Sequence, residues 1–482
     1  MTSSTLAFAL TLLFGICGAA ANVYFEQVSE FTSQSPQPND EFGFAIAHNG
    51  PLWVVSAFQG RYAEVYLCGP SLGGNSSSPN SAFNCTFQTR LAPAASYSYG
   101  TQFGYSVAVG DGGVVAVGAV GYGVNNVYNP GAVCMFSCSL IAPVTCIAGS
   151  VLTSGIVMDQ FGVSVAVSGS LVFVGASGVG LTAGSVYVFN CSTSALCFRS
   201  TNISSEASSG ALYFGTSVAV HSSGLLAVGA PGFPTNGDKG QAFVCLCISQ
   251  TSCCPQTQQL INPNGVAGDV FGQVAAFQAD AGPSGTSNSE SIVLLFVGAP
   301  RLNVVYVFVC SSSFTPPYCG IGVSLTANGG LYGDYFGTSI APISLSFGST
   351  GLSTTGILIG APALGNPNRV AGYVQMFSCD SNATCMFVTN FTALDGQTGD
   401  GFGYALAATG PNDSWSGCVV GAFGKNVNAG AFYAFTLQND DSEYVNIGAI
   451  VGGMLGGTAL LLAIAVGLVR TSGKPFPFKF AH

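Results

Sequence analysis

Charge is what this chain has least of. Only 6% of its 482 residues are Asp, Glu, Lys or Arg, against about 25% in an ordinary soluble domain. It has three histidines and two tryptophans. So few titratable groups leave little material for acid–base chemistry, and no nucleophile elbow, paired-histidine zinc helix or phosphate-cradling glycine loop occurs. An enzyme is therefore not expected. Before residue 447, seven basic residues stand against 20 acidic ones, a balance of −13, which opposes unspecific binding to polyanions and argues against a nucleic-acid partner. A surface this poor in charge needs some other source of hydration.

What the chain has instead is apolar residues (48%) and 66 glycines. Leu6 to Cys17 is an apolar run followed by Ala19, Ala20 and Ala21, the pattern of a secretory leader over residues 1–21. No Lys or Arg precedes the run. Ile447 to Val469 gives 23 residues without a charge, the length a helix needs to cross a bilayer core of about 30 Å. Arg470, Lys474 and Lys479 follow it, which orients a single-pass protein with its body outside and residues 470–482 in the cytoplasm. The expected location is the plasma membrane or another membrane of the secretory pathway. Acceptor triplets for N-glycans stand at Asn75, Asn84, Asn190, Asn202, Asn382, Asn390 and Asn412, and glycans would supply the missing hydration. Sixteen cysteines remain after the leader, and in an oxidising compartment most should pair.

A repeat organises residues 22–437. Phe-Gly occurs at Phe42, Phe103, Phe161, Phe214, Phe271, Phe336 and Phe402, at intervals of 53 to 66 residues. Each pair opens an alternating segment, as in FGYSVAV. A turn follows, then a run such as VVAVGAV or LLAVGAP, a loop, and a third segment such as GAVCMFSC. Period-2 alternation broken by Gly, Pro, Ser and Asn predicts short antiparallel strands A, B and C, with a fourth, D, before the next Phe-Gly.

These motifs resemble the FG-GAP repeats of the integrin α-subunit head. The full signature pairs Phe214-Gly215 with Gly229-Ala230-Pro231, Phe271-Gly272 with Gly298-Ala299-Pro300, and Phe336-Gly337 with Gly360-Ala361-Pro362. The resemblance implies an all-β fold, a seven-bladed β-propeller of four-stranded antiparallel blades, joined by residues 438–446 to the C-terminal transmembrane helix. The seventh unit runs out after strand C, so Val23 to Phe31 is expected to supply its D strand and close the ring, removing exposed edges.

Six units carry cysteines where C meets D, which pairs Cys68 with Cys85, Cys138 with Cys146, Cys191 with Cys197, Cys310 with Cys319, and Cys379 with Cys385. In the fourth unit Cys245 and Cys247 face Cys253 and Cys254, the pairing left open. Cys134 and Cys418 are left as buried thiols. With no His beside these cysteines, disulfides outweigh a metal site.

Integrin-type blades often hold calcium in the A-to-B hairpin through clustered acids. Here those hairpins read VGDGGVV, SGSLV and HSSGLL. That is a departure from the family: no cofactor is expected, calcium staying open as the alternative although its motif is absent. His48 and His221 read as turn residues. A different acid recurs: Asp40, Asp159, Asp269, Asp334 and Asp400 each lie two residues before the Phe of Phe-Gly, a position where a carboxylate ties a turn.

In an antiparallel blade the B-to-C loops and D-to-A turns share one face. Arg61, Lys239, Arg301, Arg369 and Lys425 all fall in B-to-C loops, which makes that face the candidate for engaging an extracellular protein or glycan. Asn75, Asn84, Asn382 and Asn412 belong to the opposite face, from which the chain leaves for the membrane. Within the span, Gly448, Gly452 and Gly456 repeat at fours, a spacing that lets helices associate. The expected function is cell-surface recognition or adhesion, with a structural coat or scaffold glycoprotein as the alternative. A third possibility is a propeller accessory to a membrane enzyme.

Overall fold

The computed structural model describes residues 23–439 except 71–82, 94–101, 122–130, 157–158, 179–183, 195, 205–211, 233–237, 250–251, 263, 279–291, 315, 348–351, 365–370 and 411–416. The leader, the span with Gly448, Gly452 and Gly456, the tail, and Asn75, Arg369 and Asn412 lie outside the described residues. Among those described, no helix is long and apolar enough to cross a membrane.

Seven four-stranded sheets follow one another along the chain. Blade one uses Phe42–Asn49, Leu52–Ala57, Tyr62–Pro70 and Phe83–Leu91 as strands A to D, paired antiparallel in sequence order. Strand A of the next five blades is Gln102–Val109, Phe161–Ser168, Ser217–Val220, Val274–Phe277 and Ser339–Phe347. Blade seven has Leu406–Ala408, Gly417–Ala422 and Ala431–Asn439, and its fourth strand is Val23–Phe31. The ring therefore closes by joining the two ends of the domain within one sheet, as the missing seventh D strand implied. The A strands touch the A strands of neighbouring blades, so they form the inner ring.

Seven apolar clusters hold the ring, one at each junction between neighbouring blades. Strand B explains how. In Leu52–Ala57, Leu52 and Val54 pack toward blade two while Trp53 and Val55 pack toward blade seven. Successive side chains of a strand point to opposite faces, and here both faces are covered. That is why the B strands read as unbroken apolar runs, whereas one-sided sheets alternate with polar residues.

The Phe-Gly and Gly-Ala signatures meet across six of the seven junctions; between blades one and two, Ser56 stands where the others have glycine. All seven Phe side chains are buried, and all seven following glycines have φ between 90° and 97°, a region that disfavours any side chain. At Gly215 a Cβ would sit 2.6 Å from the Ser185 carbonyl oxygen. The glycine's own carbonyl oxygen lies against the Gly-Ala glycine of the preceding blade, Gly175, leaving no room for a methyl group there. A serine in strand A seals the joint: Ser106, Ser164, Ser217 and Ser339 each donate to the Phe-Gly glycine oxygen of the next blade, at 2.7 to 3.1 Å. The repeat signature is thus a contact between blades, in which the Phe-Gly half is kept at all seven junctions and the Gly-Ala half at six.

Seven disulfides join strands C and D. The five expected pairs form, and the fourth blade resolves as Cys245–Cys254 and Cys247–Cys253. Closing loops this short contributes roughly 2 to 3 kcal/mol each. Cys134 and Cys418 are unpaired and buried, and burial pushes the Cys134 thiol up to about 12.

The closing strand is clasped to blade one. Just past it, Ser33 Oγ donates to the buried Glu64 carboxylate at 3.0 Å and Gln34 N at 3.1 Å. Tyr66 donates to the same carboxylate at 2.7 Å, and Arg90 pairs with it at 2.7 Å. The Arg90 guanidinium also lies 3.9 Å above the Tyr62 ring.

Candidate functional site

The face bearing the B-to-C loops is built by the recurring aspartates. In four of five cases the carboxylate accepts the backbone N–H three residues upstream: Gln37 on Asp40, Val266 on Asp269, Leu331 on Asp334, and Gln397 on Asp400. Four of these aspartates also take the B-to-C loop by their carbonyl oxygens, through Gly60, Gly178, Ala363 and Gly424. Tyrosines at the start of strand C complete the lock: Tyr62 on Asp40, Tyr187 on Asp159, and Tyr373 on Asp334. Asp40, Asp334 and Asp400 therefore weld the turn entering their blades to the loop beside it, while the bonds of Asp269 stay within its own turn. Burial raises the pKa of Asp159 and Asp269, hydrogen bonds opposing it in both.

The four described cations separate on this face. Arg61, Lys239 and Arg301 are exposed, and Arg61 sits at φ 61°. Lys425 was expected with them, but it is buried. Its Nζ lies 2.7 Å from Asp395, 3.4 Å from Asp400 and 2.9 Å from the Asp395 carbonyl oxygen. Burial alone would lower the pKa of Lys425, but the two carboxylates outweigh it and raise the pKa. Its role is to neutralise an acidic pair at the junction of blades six and seven, and it leaves the set of cations open to a ligand. Asp395 also takes a hydrogen bond from Tyr433 at 2.9 Å.

Near the axis of the same face lies a cluster not anticipated from the sequence. Phe44 contacts Phe58 at 4.6 Å, Tyr404 at 5.1 Å, Tyr105 at 5.5 Å and Phe423 at 6.0 Å between ring centroids. Phe44, Tyr105 and Tyr404 each follow a Phe-Gly pair, in blades one, two and seven; the other four blades have Val163, Thr216, Gln273 and Thr338 there. That asymmetry was visible in the sequence, but adjacency of the first and last blades across the ring closure was needed to give it meaning. Burial raises the pKa of both tyrosines and of Glu41.

The histidines serve the scaffold. His48 stacks on Trp53 at 4.1 Å and reaches the Ala408 carbonyl oxygen at 2.7 Å, bridging blades one and seven. His221 lies 2.9 Å from the hydroxyl of Ser223 within its own hairpin. Among the described residues no three His, Cys, Asp or Glu side chains are grouped as for a metal ion; residues 279–291 of the A-to-B hairpin of blade five, with Asp280 and Glu290, lie outside them. Asn84, Asn202, Asn382 and Asn390 are exposed, and Asn190 is half-buried.

No protein-family model and no curated protein matches the chain. Among solved structures, streptogramin B lyase is 8% identical with a TM-score of 0.47, covering 86% of this chain and 98% of that one. A protein from Lactobacillus plantarum is 10% identical with a TM-score of 0.40, over 76% and 87%. The Saccharomyces cerevisiae core factor is 8% identical with a TM-score of 0.43, over 94% and 68%. Likenesses this remote carry no chemistry across to this chain.

Proposed function

We propose that this propeller is a non-catalytic recognition domain that engages an extracellular partner through the face of its B-to-C loops. A seven-bladed propeller is compatible with a binding role, and function on such a fold lives in its loops. One observation carries the reading. The recurring acids of this face are turned inward, onto backbone N–H groups, tyrosines and Lys425, while Arg61, Lys239 and Arg301 point to solvent. The face thus presents three cations, with Asp395 the acid also exposed beside Lys425, on a chain whose net charge is −10.

The likeness to FG-GAP repeats supports a cell-surface setting. In that setting the C terminus would leave from the opposite face, where the last strand ends at Asn439, and the cationic face would look outward. The low overall charge favours a second reading, a glycan-hydrated coat or scaffold that binds nothing specifically.

The test is binding of the purified full-length chain to arrays of glycans and extracellular matrix proteins, with and without calcium, beside a variant carrying Arg61→Glu and Arg301→Glu. Ligand loss with unchanged folding supports recognition. A folded protein that binds nothing moves the assignment to the coat.

A further inference from the structure

The face opposite the B-to-C loops carries apolar side chains at the tips of two of its hairpins. Ile141 is 80% exposed, Tyr318 62% and Phe314 53%, with Leu140 exposed beside Ile141. They stand where strands C and D turn in blades two and five, and each turn is braced from the preceding blade. Val144 is buried and its N–H donates to Gln88 Oε1 at 3.1 Å. The Cys319 N–H donates to Gln258 Oε1 at 2.6 Å, while Gln258 Nε2 donates to the Cys319 carbonyl oxygen at 2.9 Å. The disulfides Cys138–Cys146 and Cys310–Cys319 close the same two turns. The apolar tips therefore stand on fixed backbone.

We propose that these tips rest in the headgroup layer of the bilayer that carries the chain and hold the disc flat against it. The inference rests on the membrane setting of the recognition reading and adds the orientation of the recognition face to it. Chain length names the occupant. Strand C of blade seven, Ala431–Asn439, ends on this same face, eight residues before the apolar run that starts at Ile447. Eight residues span at most about 29 Å, so in that setting the face stays near the bilayer. With the tether at blade seven, the turns of blades two and five complete three supports spread around the ring. Points that far apart on one face suit a flat apolar phase better than a single protein segment. Tyr318 fits such a boundary, where a ring can be buried and its hydroxyl stay wet. Charge then selects the lipid. No Lys or Arg occurs in any A-to-B or C-to-D hairpin, whereas Asp111, Asp280, Glu290, Asp380 and Asp413 do. Such a face tolerates zwitterionic headgroups and is repelled by anionic ones. The acceptor triplets of this face, at Asn75, Asn84, Asn382 and Asn412, belong to blades one, six and seven, so neither apolar turn would carry a glycan.

The test is fluorescence of the full-length chain in phosphatidylcholine vesicles, with Ile141→Trp or Phe314→Trp beside Tyr332→Trp on the opposite face. Brominated acyl chains should quench the added emission of the first two about twofold or more and leave the third unchanged. Leu140→Asp with Tyr318→Asp, at exposed positions that should not alter thermal melting, should remove most of that quenching. Replacing phosphatidylcholine by phosphatidylserine should weaken it. Added tryptophans quenched by aqueous iodide and not by lipid, or quenched more on phosphatidylserine, would overturn the proposal while the chain stays embedded and the recognition face keeps its ligand. Tryptophans shielded from iodide and lipid alike would place a second copy of the chain on these turns, which overturns it too. A chain stripped from the vesicles by alkaline carbonate has no span; the membrane setting would then fall, and this proposal with it.

Discussion

Replacing Arg90 by methionine removes the cation from a carboxylate that has no access to water. Glu64 is 0% exposed and accepts from Ser33, Gln34, Tyr66 and Arg90. Breaking a buried pair by deleting one partner costs about 3 to 5 kcal/mol. Because Arg90 is 34% exposed and three donors remain on Glu64, we expect the lower end, about 3 kcal/mol. The cooperative unit spans Tyr24–Gln438; an unfolding entropy of ~2.1 cal/mol/K per residue makes that a Tm drop of about 3 °C. The loss should also weaken the clasp on the closing strand, so amides of Val23–Phe31 should exchange faster than those of the disulfide-tied D strands. Glu64→Gln with Arg90→Met should recover much of the loss, since no charge is then left buried. Calorimetry with native-state hydrogen exchange reads both. An Arg90→Met protein as stable as the parent, or a double variant no better than the single, would refute the idea that a buried ion pair secures the ring.

Gly215→Ala should destabilise by well over ~1 kcal/mol, because φ is 95° and the methyl meets the Ser185 oxygen; Gly50→Ala, also at positive φ but with open space around it, should cost only about 1 kcal/mol, as chemical denaturation can compare. Cys191→Ala with Cys197→Ala should cost about 2 to 3 kcal/mol, seen as a lower urea midpoint. Glu41→Gln should be more stable than the parent at neutral pH. Burial raises the Glu41 pKa above 4.5, so the parent's stability is fullest below that value and declines as pH rises through the folded pKa. The advantage of the variant should vanish near pH 4; melts across pH that run parallel would contradict the assignment. Lys425→Met should expose the repulsion between Asp395 and Asp400 and cost about 3 kcal/mol, measurable as a lower Tm.

The blades were legible because their determinants are local. Strand alternation, the covered B strands and the Phe-Gly glycines are set by neighbours along the chain and by a contact repeated at every junction. A missing seventh D strand and an opening apolar strand were enough to predict the closure. Cysteines at matching C and D positions likewise specified five pairings, because antiparallel register places them opposite each other. In the fourth blade four cysteines lie close together, so only the three-dimensional structure chose Cys245–Cys254 with Cys247–Cys253 over the other pairings of the same four.

What the sequence by itself determined, then, is the repeat, the strand order and the face to which each loop belongs. What only the tertiary structure decided is which side chains of that face meet solvent. Lys425 occupies the same kind of loop as Arg61 and Arg301 but turns inward, because Asp395 and Asp400 converge on it from the adjoining turn. Phe44, Tyr105 and Tyr404 become one cluster because the ring brings the last blade against the first. Tyr332, Leu394 and Val427 stay exposed because none of the described residues packs over them. Loop side chains take their environment from other blades, and such distances in space are not written in any local pattern.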